Sequence, residues 1–177
     1  MPENRIETRD IDQNRTFGTE FEVMITREAG SPQVELARYE RGSHGLYRWL
    51  DDNGVQVWQP TSYHHTPADW DGWKMETDGS LHPAYSKGEV EGIEIITPVL
   101  RGDSGLQEVK RVLDLLNQFG VTVNRSCGNH IHHFVGDMTK EQLQNLYLMY
   151  WTAQKQINFL QPPSRRNNIH CYQLDIT

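Results

Sequence analysis

The amino-acid sequence predicts an α+β domain: a mainly antiparallel sheet with helices packed on one face. Three observations predict it. Short segments with alternating or β-branched and aromatic composition recur along the chain, separated by turn residues. Two longer stretches instead repeat their apolar residues every three to four positions. Those helical stretches come late and do not alternate regularly with strands. With 177 residues, 36% of them apolar, the chain is long enough to bury roughly 70% of its unfolded surface in one core without disulfide or metal staples.

Residues 1–15 are polar and aperiodic and read as a flexible arm, leaving one domain over 16–177. Phe17 to Ile25 alternates with period two, so Phe17, Phe21, Val23 and Ile25 share one face of a strand while Glu20 and Glu22 share the other. Ser31-Pro32 reads as an N-cap with proline at the first helical position, opening a short helix that stops near Gly42. Tyr47–Leu50 and Val55–Trp58 flank Asp51-Asp52-Asn53-Gly54, whose Asn-Gly predicts a β-hairpin. Residues 59–72 read as a long loop. Trp73–Thr77 predicts a short strand delivering Asp78-Gly79-Ser80, and Ile93–Thr97 a stronger one ended by Pro98. Ser104 with Gln107 reads as a capping box for a helix whose stripe is Leu106, Val109, Val112, Leu113, Leu116 and Phe119, closed by Gly120. Val121–Asn124 and Asn129–Val135 predict two more strands, and Thr139 with Gln142 caps a helix reaching about Leu160 before Pro162-Pro163. Six or seven strands with apolar-striped helices should bury one sheet face and leave the carboxylates on the other.

Composition narrows the function. Apolar runs such as Leu146–Trp151 fall far short of the roughly 20 residues needed to cross a bilayer. The first fifteen residues lack the apolar stretch of a secretory signal, so a cytoplasmic protein is expected. Lys and Arg total 17 against 24 Asp and Glu, a net charge of −7 that argues against a nucleic-acid partner. The two cysteines, Cys127 and Cys171, show no metal or disulfide spacing and are expected reduced. The eight histidines are clustered, at His64-His65 and at His130, His132 and His133.

Four carboxylates stand out: Glu20 and Glu22 on one strand, Asp78 after another, and Glu94 on a third. Like charges on one sheet face repel, and a hard cation such as Mg²⁺ relieves that repulsion. The competing reading is a solvated face whose charges never converge; for Asp78-Gly79-Ser80 it is an ordinary turn. Glu94 is harder to dismiss, because a carboxylate among Ile93, Ile95 and Ile96 needs a partner. Strand parity places His130 and His132 on one side, with His133 reversed. Three chemistries compete there: zinc held by Cys127, His130 and His132; a Cys127 nucleophile with a histidine base; and histidines joined to the carboxylate face. For Cys127, a small packing thiol is the simpler reading. Strand parity allows Glu20, Glu22, Glu94 and His130 to converge on one site.

The ordered motifs FGTEFEV, TDGSL, EIITPVL, CGNHIHH and PPSRRNN, spanning Phe17 to Asn168, resemble the amidoligase family, relatives of glutamine synthetase and glutamate–cysteine ligase among the carboxylate–amine ligases. The resemblance implies a glutamine-synthetase-like sheet whose concave face binds ATP with Mg²⁺, Mn²⁺ being a possible substitute. It implies a reaction joining a carboxylate to an amine through an acyl phosphate, with small-molecule or peptide substrates. By position it makes Glu20, Glu22, Glu94 and His130 metal ligands, and sets His132 beside them as the candidate to take the amine's proton. Arg165, Arg166 and Asp78 fall to the nucleotide. The same residues would suit a metal-dependent hydrolase, or a binding module that kept the fold without catalysis. Family members usually continue past the Arg-Arg element, so a missing C-terminal portion, an oligomer or complementing chain, and weak activity in isolation are expected.

Overall fold

The computed structural model describes residues 13–26, 42–62, 66–67, 69–86, 90–163, 166 and 173–174. It divides into two compact units, Met1–His133 and Phe134–Thr177. The helix expected from Ser31, the His64-His65 pair, Arg165 and Cys171 lie outside the described residues.

Among the described residues, the first unit is a six-stranded sheet with two α-helices and one short 3-10 turn at Pro83–Tyr85. Its elements are β1 (Thr16–Thr26), α1 (Ser43–Asp52), β2 (Val57–Thr61), β3 (Trp73–Glu76), β4 (Val90–Ile96), β5 (Leu100–Arg101), α2 (Gly102–Phe119) and β6 (Asn129–His133). β1 is central: along one side it pairs with β4 and then β5, and along the other with β6, all antiparallel. β4 continues antiparallel to β3, and β3 runs parallel to β2. The sheet is therefore mixed, which corrects the expectation of a mainly antiparallel one. No two-residue turn can close a parallel pair, and residues 62–72 separate the two strands in sequence.

Two further corrections have local causes. Tyr47–Trp58 is not a hairpin; its first half is α1. Leu46, Trp49 and Leu50, spaced by three and one, all sink into the core, and that helical period outweighs the strand preference of Tyr and Trp. Asn53-Gly54 ends this helix. Asn53 has a negative φ, Gly54 has φ +73°, and the N–H groups of Gly54 and Val55 return to the carbonyls of Asp51 and Leu50 at 2.9 and 3.0 Å, a Schellman closure. Val121–Asn124 is likewise not a strand, because only Thr122 pairs, as an isolated bridge to Met24.

α2 begins two residues before the expected Ser104 cap. Ser104 donates back to the Arg101 carbonyl, while Gln13 accepts from the Asp103 N–H at 2.9 Å. That cap comes from 90 residues away, beyond any local pattern. Leu115, not Leu113, completes the buried stripe, its carbonyl accepting from the Trp49 indole at 3.0 Å. α1 and α2 together cover Val23, Ile25, Ile93, Ile95 and Met75 on one sheet face. The N-terminus of α1 is fastened to the sheet by Glu91 of β4, whose carboxylate accepts from the Ser43 N–H at 3.0 Å and its hydroxyl at 2.7 Å.

The second unit contains α3 (Lys140–Leu160), opened by the expected capping box: Thr139 Oγ1 accepts from Gln142 N, and Gln142 Oε1 from Thr139 N. Buried Gln154 pairs with both backbone groups of Leu174 at 2.9 Å. No helix among the described residues is long and apolar enough to cross a membrane.

Because the Glu91 carboxylate replaces a side-chain cap on α1, Glu91→Ala is expected to cost about 1–2 kcal/mol. Thermal unfolding would show a loss of about 2–8 °C. No loss of stability would mean that α1 is held by its apolar face alone.

Candidate functional site

Since Phe21, Val23 and Ile25 face the helices, strand parity puts Gly18, Glu20, Glu22 and Met24 on the opposite face. Register then decides which groups meet. Glu22 lies opposite Glu94, and Glu94 opposite Glu76, so three carboxylates form one row across β1, β4 and β3. In the next row Glu20 lies between Ile96 and His130, with Lys74 beyond Ile96. His132 lies opposite Gly18. Adjacent positions in a row are about 4.8 Å apart, and Glu22, Glu76 and Glu94 are each no more than 6% exposed.

Asp78 joins this row from the turn after β3. Its Oδ1 accepts from the Ser80 N–H at 2.7 Å, so the turn reading holds. Even so, carboxylate oxygens of Asp78, Glu22 and Glu94 all lie within 4.8 Å of one another. The Glu94 carboxyl is pushed up to about 8, first by burial, then by the charges of Glu20, Asp78 and Glu22, and by a hydrogen bond with Glu20. Near neutral pH it carries the proton that the cluster needs.

Glu22 is the most tightly held member. One carboxylate oxygen accepts the Gly128 N–H, the other lies 3.2 Å from His130 Nε2, and the Glu22 N–H donates to the Gly128 carbonyl at 3.2 Å. A Cβ on residue 128 would stand 3.2 Å from His130 Nε2 and 3.3 Å from Glu22, so any side chain there would push these two groups by a few tenths of an ångström. Glu20 is paired with His132, Oε1 to Nε2, at 3.2 Å. Glu76 accepts from the Thr66 hydroxyl at 2.8 Å.

The structure therefore brings Glu20, Glu22, Glu94, Asp78, His130 and His132 to one face. Arg166 belongs to the second unit, where it donates to the carbonyls of Phe159 and Gln161 and closes α3. Glu76 and Lys74, which share this face, were not singled out from the sequence. The alternation Trp73-Lys74-Met75-Glu76 was visible, but placing Glu76 beside Glu94 needed the β3–β4 register. Cys127 is occupied locally, its Sγ accepting from the Asn124 N–H at 3.4 Å. It is not among the groups that could share a cation, which within the described residues are all carboxylates. An oxygen-only donor set suits a hard divalent cation rather than zinc held by thiolate and imidazole. The crowded oxygens and the proton forced onto Glu94 are what a cation would relieve, so the residues present fit one.

Two outcomes follow. Without metal, the raised Glu94 value means that the folded state holds a proton that the unfolded chain releases at about 4.5. Its contribution to stability is complete below that value and is lost as pH rises through about 8. Glu94→Gln should flatten this decline and raise the melting temperature at pH 8 by a few degrees; an unchanged pH profile would refute the assignment. Because a cation must displace the same proton, its affinity should rise up to tenfold per pH unit below about 8 and level off above. Calorimetric titration of Mg²⁺ or Mn²⁺ across pH 6–9 measures it.

No curated protein and no solved structure matches the chain at a significant level. One family model, described as "Putative amidoligase enzyme", matches residues 13–176. The match runs through every element that builds the carboxylate face, from β1 to β6, and on through α3. The chain belongs to the amidoligase family.

Proposed function

We propose that the protein is an ATP-dependent carboxylate–amine ligase that forms an amide or peptide-like bond, with its reacting groups on the carboxylate face of the sheet. The observation that carries this reading is the Glu22–Glu94–Asp78 cluster, whose carboxylate oxygens lie within 4.8 Å of one another, in a chain of the amidoligase family.

A carboxylate is a poor electrophile, and a ligase overcomes this by moving the terminal phosphoryl group of ATP onto it. ADP leaves, and the amine displaces orthophosphate from the acyl phosphate, leaving the amide and one proton to be removed. Glu22, Glu94 and Asp78 would hold Mg²⁺, or Mn²⁺ in its place, and that cation would neutralise phosphate charge during transfer. Glu20 borders this set. On the β6 side, His130 fixes Glu22 through its 3.2 Å contact, which sets the orientation of a ligand carboxylate. His132 is the best-placed base for the amine's proton, since Glu20 at 3.2 Å holds its ring in place beside the carboxylate face. The remaining carboxylate of the row, Glu76, extends the acidic surface toward β3. For Arg165 and Arg166, a role at the phosphates rests on the family resemblance alone.

The test incubates the protein with ATP, Mg²⁺ and a panel of carboxylates and amines, following ADP and amide together. Glu22→Gln should lower amide formation about 100-fold or more, and His132→Asn about 100-fold or more with loss of the lower limb of the pH–rate profile. Both variants should keep the parent's circular dichroism. ADP release without amide would mean phosphoryl transfer to water. Metal binding with no response to nucleotide would replace this reading with a metal-dependent hydrolase, and binding of neither with a non-catalytic module.

A further inference from the structure

The carboxylate face continues past β4, and there its chemistry changes. Lys74 of β3 lies opposite Ile96, which lies opposite Glu20, so the ammonium shares the face of the acidic row. It is half-buried, and among the described residues it makes no hydrogen bond, ion pair or ring contact. A partly buried cation beside acids that pair with histidines and with one another is free to take an anion.

Trp58 of β2 lies opposite Lys74. Its neighbour Val57 and that residue's partner Trp73 both enter the core, so Trp58 stands on the carboxylate face too. Trp70 meets it edge-on, ring centroids 5.1 Å apart at 62°, and is itself fixed by its indole N–H to the Trp73 carbonyl at 2.8 Å. Both tryptophans are half-buried, as Lys74 is. The face thus runs from Trp58 of β2, with Trp70 of the segment before β3 against it, across a cation on β3, to carboxylates on β4 and β1. β2 and β1 are three strand spacings apart, about 14 Å, which is the scale of an extended nucleoside triphosphate from base to terminal phosphate.

We propose that the Trp58–Trp70 pair is the shelf on which the nucleotide base stacks, and that Lys74 binds the phosphates between that shelf and the carboxylates. This rests on the ligase reading and adds to it the direction in which the nucleotide lies. Aromatic stacking is tolerant of base identity, because every base presents a π-face. The site should therefore accept purine nucleotides with little discrimination, and a compact ammonium on the phosphates gives affinity without bidentate specificity.

The experiment compares calorimetric binding of ATP and of inorganic triphosphate, each with Mg²⁺, to the parent and to Trp58→Leu, Trp58→Phe and Lys74→Met. The parent should bind ATP more tightly than triphosphate, and ATP alone should quench tryptophan fluorescence. Trp58→Leu should weaken ATP about tenfold and leave triphosphate unchanged, Trp58→Phe should restore ATP, and Lys74→Met should weaken both ligands equally. Equal parent affinities for the two ligands, or a Trp58→Leu protein that binds ATP as the parent does, would overturn the shelf. Unchanged binding by Lys74→Met would overturn its phosphate role. Either result leaves the ligase reading intact, whereas a parent that binds neither ligand refutes the ligase reading and the shelf together. Should Trp58→Leu fail to fold, the ATP-specific quench in the parent decides the matter.

Discussion

The constraint on which the molecule depends is the register of β1 against β4. Val23 lies opposite Ile93 and Phe21 opposite Ile95, and these pairs form the floor under α1 and α2. The same register sets Glu22 opposite Glu94 on the reverse face. Because side chains alternate along a strand, a slip of either strand by one residue would put that strand's carboxylate under the helices and its apolar residues into the polar face. The apolar core therefore compels an arrangement of like charges that, taken alone, is unfavourable. A row of buried acids is the electrostatic cost of one well-packed face.

The protein meets that cost locally. Glu94 takes a proton, Glu22 gains the Gly128 N–H and His130, Glu20 gains His132, and Glu76 gains the Thr66 hydroxyl. These devices differ in how firmly they hold. A backbone donor such as Gly128 is fixed by β1–β6 pairing, while a proton on Glu94 exchanges with solvent and yields to a cation. The cluster is thus held in shape while its charge state remains adjustable, a property suited to binding a cation.

The rim of the face is also tied down. The loop carrying Asp78 continues to His82 and Ser86, and Asn124 donates to the His82 carbonyl at 3.1 Å and to the Ser86 hydroxyl at 2.9 Å. Ser126 accepts from the His82 N–H at 3.0 Å, and the Arg125 guanidinium lies 3.8 Å from the centre of the Tyr85 ring. The turn that presents Asp78 is in this way fastened to the segment leading to Gly128. Two loops distant in sequence are positioned by one another, and through Gly128 by the central strand.

The sequence by itself determined the elements whose signal is local. Alternation marked β1 and placed Glu20 and Glu22 on the polar side; the Thr139–Gln142 pair marked the start of α3; parity on β6 put His130 and His132 together. Each depends only on residues within a turn or two, so short-range periodicity suffices. The family motifs added the expectation of a metal and nucleotide face, which parity alone does not supply. Only tertiary structure decided the rest. Residues 47–52 became a helix because Leu46, Trp49 and Leu50 found a core to enter, and α2 started early with the Asp103 N–H capped by Gln13. Glu76 became part of the acidic row, and Trp58 a neighbour of Lys74, through pairings between strands. Which strand lies beside which, and in which register, is set by the burial of the whole apolar face, and that is a property no window of the sequence contains.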